Sequence, residues 1–193
     1  MTCSKWAVGW KPPATKTMLE LQRLTTEYIE LEDRIRLTGE DQQGGALCLW
    51  LTQRLALRLV AHLVEAIATA SPEAMKNPSQ DQDVSKLLQG MAQQAAAADL
   101  SPEAAVQSDA ATQSLLINEV DINRAANGLI GLVFKEGTET EVALSFELQQ
   151  LRQWLAIIYS QWTLAEWPST VWPEWMGAQP QVANLEEPSD PLH

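Results

Sequence analysis

Arg54, Arg58 and His62 stand four residues apart, with Glu65 three further on. On a helix that spacing makes one stripe, because residues three and four apart are surface neighbours. Two chemistries suit it. Two guanidiniums and an imidazole would hold an anion or a partner, and His62 oriented by Glu65 would be a general base, but such a stripe is more often a solvated or salt-bridged helix edge. The neighbouring arginines disfavour protonation of the imidazole and do not make it a better base. The only other histidine is His193, so an enzyme built on His62 and Arg58 is the third reading of the chain.

Asp33 is the next candidate. In EYIELEDRIRL (27–37), Ile29, Leu31, Ile35 and Leu37 alternate with Glu30, Glu32, Arg34 and Arg36, and Asp33 falls on the apolar side. It is either a bulge or edge residue hydrogen-bonded to backbone, or a buried functional carboxylate. Cys3 and Cys48 make neither a disulfide framework nor a zinc site. Cys48 reads as a small apolar strand residue. There is no glycine-rich phosphate loop, nucleophile elbow or acidic metal cluster, so the expectation is a non-enzyme with no metal and no cofactor.

Eight tryptophans stand against two tyrosines and two phenylalanines. Trp162, Trp167, Trp172 and Trp175 crowd one stretch broken by Pro168 and Pro173, and Trp6 and Trp10 precede Pro12 and Pro13. Either these arms cover a small core, or their indoles anchor a protein partner, since tryptophan is enriched at interface hot spots. Base stacking ranks below both, because no Lys or Arg follows Arg152.

The formal net charge of -12 is uneven: residues 1–60 carry +1 and the remainder -13. That field repels phosphate backbones and makes nucleic acid an unfavoured partner. Its best remaining form is a single-strand binder using the sheet face, with Arg34 and Arg36 on phosphates. No apolar run reaches the roughly 18 residues of a membrane helix, and the amino terminus has no apolar signal core, so a cytoplasmic protein without membrane attachment is expected.

These residues must be held by an α+β framework. Period two predicts a strand, or two short ones, over 27–37; TGEDQQGG (38–45) is a turn, and ALCLWL (46–51) the returning strand. Thr52 is placed to cap a helix running to about Ala70, apolar on most of its circumference through Leu55, Leu57, Leu59, Val60, Leu63, Val64 and Ile67. Residues 71–113 read as an Ala/Gln-rich, partly disordered insertion with one short amphipathic helix through Val84, Leu87, Leu88 and Met91. LLINEVDIN (115–123), LIGLVFK (129–135) and EVALSFEL (141–148) are three strands, followed by a helix over 147–162.

Offset by 95 residues the two ordered parts agree, Ile35 and Leu37 with Ile130 and Leu132, and Leu47, Leu49 and Leu51 with Val142, Leu144 and Phe146. One extra residue in the second copy aligns Leu55 and Leu59 with Leu151 and Leu155. The expected architecture is one domain over 1–176 containing a hairpin–helix unit (27–70), the insertion (71–113), a strand–meander–helix unit (115–162) and a Trp/Pro-rich arm (163–176). A disordered acidic tail (177–193) would follow. About five antiparallel strands would carry both long helices on one face. Functionally, the sequence favours a non-enzymatic interaction protein, an adaptor or assembly factor that homodimerises and engages a protein partner through its tryptophan arms.

Overall fold

The computed structural model describes residues 17–70, 82–101, 103–137 and 140–177. The chain runs β1 (Thr17–Ile29), β2 (Arg34–Asp41), β3 (Ala46–Thr52), α1 (Gln53–Ala70), α2 (Gln82–Ala98), β4 (Gln113–Leu116), β5 (Glu119–Arg124), β6 (Ile130–Glu136), β7 (Thr140–Phe146), α3 (Leu148–Leu164) and α4 (Glu174–Gly177). The class is α+β, but the sheet has seven strands in the order β4-β3-β2-β1-β7-β6-β5 rather than about five. It is also mixed: β1 pairs in parallel with β7, and β4 in parallel with β3. Both differences come from the first strand of each half. A register shift between Leu21 and Arg23 breaks the period of β1, which hid residues 17–26, and LLINEVDIN is two strands in one run.

Each half is built the same way. The first part of β1 (17–20) pairs in parallel with β7, and its second part pairs antiparallel with β2. The β4–β5 run does likewise: 113–116 pairs in parallel with β3, and 119–124 antiparallel with β6. At the step between them Ile117 N–H donates to the Trp50 carbonyl and Asn118 N–H to the Lys135 carbonyl. The strands at the two ends of the order are therefore one continuous chain, and the sheet curls into a closed circuit. Such closure removes most of the open edge that an isolated sheet would present.

Helix burial follows the repeat without any insertion. Ala56, Leu59, Val60, Leu63 and Ile67 of α1 match Leu151, Trp154, Leu155, Ile158 and Trp162 of α3, all 95 positions apart. The extra residue expected in the second copy is not there. Both helices pack into one core with the inward side chains of the sheet, Ile35, Leu37, Leu49, Ile130, Leu132 and Val142 among them. Thr52 caps α1 as expected, its Oγ1 accepting the Leu55 N–H at 3.3 Å. A Glu147–Gln150 capping box starts α3.

The insertion is more ordered than its composition suggested. Of it, 82–101 and 103–113 are described and 71–81 lie outside the described residues, as does the tail beyond Gly177. After α2 the chain crosses the outer face of β1–β3. Arg23 donates to the Ala104 carbonyl at 2.7 Å, and Thr25 Oγ1 accepts the Val106 N–H at 2.9 Å. Thr38 and Cys48, in the same row as Thr25, are buried.

Candidate functional site

The carboxy-terminal tryptophans form one aromatic body at the end of α3. Trp162 is 1% exposed and meets Trp167 and Trp172 edge-on, with centroids 5.0 and 5.5 Å away. Trp167 also meets Tyr28, and Trp172 meets Tyr159. Trp162 Nε1 donates to the Pro168 carbonyl, which ties the fold-back that the prolines enforce. These three rings are cover for the core, the first of the two roles the sequence left open. Trp175 is half-buried, beside Gly90 of α2 and 6.0 Å from the Arg152 guanidinium. Trp6 and Trp10 lie outside the described residues.

Asp33 is neither a bulge nor a buried carboxylate. It is an exposed turn residue with φ 49°, and its Oδ1 accepts from Tyr28 Oη at 3.0 Å and from Trp167 Nε1 at 2.8 Å. Its part is to tie the β1–β2 turn to the aromatic body. Partial burial holds the Tyr28 hydroxyl above its ordinary value, and the Asp33 carboxylate that accepts its proton adds to the shift.

Arg54, Arg58 and His62 do form one exposed stripe on α1. Among the described residues neither arginine has an ion-pair partner. His62 Nδ1 is 3.9 Å from the Glu65 carboxylate, with both side chains largely exposed. That separation is beyond hydrogen-bond distance. Arg34 and Arg36 are spoken for: Arg34 lies 3.8 Å from Glu32, and Arg36 lies 2.8 Å from Glu27 and 5.8 Å over the Trp50 ring. Among the described residues no group of three His, Cys, Asp or Glu is placed to hold a metal. No helix among them is long and apolar enough to cross a membrane.

Helix α2 is turned against its own composition. Its buried residues are Gln89, Gly90, Gln93 and Ala96, with Leu88 half-buried, while Val84, Leu87 and Met91 are 41, 62 and 59% exposed. The inward face is polar because it meets Arg152, only 5% exposed on α3. The Arg152 guanidinium bonds Gln89 through both its side-chain and backbone oxygens, and Gln93 Nε2 donates to the Arg152 carbonyl at 2.8 Å. The sequence showed the helical spacing of Val84, Leu87 and Met91. It could not show that the buried arginine lies on the facing helix, which reverses the side that packs inward.

Two clefts lie between helix and sheet among the described residues. One, of about 690 Å³, lies between α3 and β1, lined by Leu24, Thr25, Thr26, Trp154 and Ile157, with residues 99–106 as a third wall. The other, of about 460 Å³, lies between α1 and β5, lined by His62, Glu65, Ala66, Val120, Asp121 and Ile122 among others. Compared with protein-family models, curated proteins and solved structures, the chain matches none.

Proposed function

We propose that the chain is a non-enzymatic protein-interaction module, an adaptor or assembly factor that self-associates and holds a protein partner. The observation that carries this reading is α2, which turns Val84, Leu87 and Met91 outward while Gln89 and Gln93 are buried. A soluble surface that spends buried positions on glutamine and displays Val84, Leu87 and Met91 in one row has the form of a helix meant for a second surface. The face of α1 that no other described residue covers supports it. Leu57, 37% exposed between Arg54 and Arg58, is the counterpart of Arg152, which α2 covers on the other helix.

The anchors are accordingly redistributed. With Trp162, Trp167 and Trp172 committed to the core, the contacts proposed for a partner are the α2 row, the rim residue Trp175, and Trp6 and Trp10 of the amino-terminal segment. The Arg54–Arg58–His62 stripe is proposed as the acidic-partner contact. Deleting 163–193 would not test this, because it strips the core of Trp167 and Trp172.

The deciding measurement is light scattering of the full chain against a Leu87→Asp/Met91→Asp variant. We expect a dimer for the parent and a monomer for the variant at an unchanged unfolding midpoint. A monomeric parent up to about 100 μM, a weak-interface concentration, overturns self-association through α2.

A further inference from the structure

The two clefts are the same place in the two halves. Arg23 stands opposite Glu40 and Glu119 opposite Lys135, and Glu40 and Lys135 are themselves 95 positions apart. Leu24, Thr25 and Thr26 of the first cleft therefore correspond to Val120, Asp121 and Ile122 of the second, and Ile157 of α3 to His62 of α1.

In the α3–β1 cleft, residues 99–106 supply a third wall. Its Val106 is 8% exposed with its N–H on Thr25 Oγ1, its Ala104 carbonyl accepts from Arg23, and its Glu103 lies 4.0 Å from Arg23. In the α1–β5 cleft the described residues provide only two walls. Asp121 stands in the place of Thr25. The charge is reversed: the Arg23–Glu40 pair at 3.1 Å has become Glu119–Lys135 at 2.8 Å, with Asp121 also on Lys135 at 2.6 Å. Glu119 and Asp121 remain 60 and 47% exposed. A wall built on the same plan would be an extended segment with a cation where the first has Glu103 and an apolar side chain where it has Val106.

We propose that the α1–β5 cleft is a segment-binding site and that its occupant is the chain's own residues 5–11, Lys-Trp-Ala-Val-Gly-Trp-Lys. That stretch carries two lysines, two indoles and no acid. Thr17, where the described chain begins, pairs with Thr140, which pairs with Glu136 beside the start of β5. It is thus three strand spacings from β5, roughly 15 Å at about 4.8 Å each. Lys11 lies six residues upstream, a reach of about 20 Å. Lys11 or Lys5 meets Glu119 and Asp121, an indole lies against Ala66 and Ile122, and Trp6 and Trp10 are held in cis until a partner competes for them. The inference rests on the repeat of the two halves and not on the α2 row, so scattering of the α2 variant leaves it untouched.

The test is chymotryptic cleavage after Trp6 and Trp10 in the intact native chain. Docking predicts cleavage about tenfold slower in the parent than in Lys5→Glu/Lys11→Glu, because cleavage follows the opened population. Glu119→Lys/Asp121→Lys is expected to raise the rate equally, and combining the two reversals to restore protection. A bismaleimide joining Cys3 to a Glu65→Cys thiol, with Cys48→Ser, is expected to close within one chain. Equal cleavage in all four proteins, or a cross-link that forms only between chains, overturns the proposal; the latter assigns the cleft to a second copy's segment.

Discussion

Where the first half buries Leu51, Leu59 and Ile67, the second buries Phe146, Trp154 and Trp162 at the same positions of strand and helix. The backbone plan is held while the contents change by whole rings. Larger contents need a larger lid, and the second half has one: the chain folds back after α3 to set Trp167 and Trp172 over Trp162. The repeat is therefore preserved in which positions are buried, not in what is buried there. Charge obeys the same rule, since the cross-strand pair survives with its signs exchanged.

Truncation at the paired helix positions gives the largest contrast. Trp162→Ala is expected to cost about 3–5 kcal/mol in denaturant unfolding, because it empties a buried site and removes both edge-on ring contacts of Trp162. Ile67→Ala should fall toward the lower end of about 2–5 kcal/mol. An Ile67 cost exceeding that of Trp162 would break the claim that the second half depends on its aromatic body.

A smaller contrast lies in the middle strands, where Gly39 corresponds to Phe134. A Cβ on Gly39 would run into the Leu21 side chain, which fills that space from β1. Gly39→Ala is expected to cost about 1–3 kcal/mol by overpacking. In that background Leu21→Ala should cost less than in the parent, and additivity of the two would remove the shared-space explanation.

The exchanged pairs should be weak and alike. Arg23→Ala/Glu40→Ala and Glu119→Ala/Lys135→Ala cycles are each expected to return about 0.2–1 kcal/mol, falling with salt. The Glu119 cycle is complicated by Asp121, which shares Lys135 and helps hold its pKa high.

The smallest effect is on pH dependence and sits at Tyr28, whose counterpart Arg124 lies exposed. The folded value of Tyr28 is raised, so the folded chain holds its proton longer than the unfolded one. Its contribution is complete below the ordinary tyrosine value near 10 and is lost as pH rises through the folded value. The loss should vanish in Tyr28→Phe, read from urea midpoints at increasing alkaline pH.

Much of this was visible in the chain before folding. The alternation in 27–37 and 46–51, the Thr52 cap and the 95-residue offset report on backbone period and local capping, which neighbours in sequence decide. The first strand was not, because a register shift at Leu21 scrambles its alternation and its parallel partner lies over a hundred residues away. In the tryptophan segment the sequence leaves cover and anchor both open, since proline positions show where a helix stops but not which surface the chain then meets. The inward glutamines of α2 were illegible for the same reason: only the facing Arg152 explains them. The stripe on α1 was placed correctly, yet spacing alone could not show that His62 borders a cleft against β5.

The continuous β4–β5 run also governs the order of assembly. β1 emerges first during synthesis, yet its parallel neighbour β7 ends at Phe146. β3 likewise waits for residues 113–116. Neither half can finish its own sheet from its own residues, so a nascent chain of 100 residues holds α1, α2 and a three-stranded meander with two unsatisfied flanks. Long-range pairing of that kind delays closure until nearly the whole chain has left the ribosome. The amino-terminal segment is made first and docks, on the proposal above, against a strand made more than a hundred residues later.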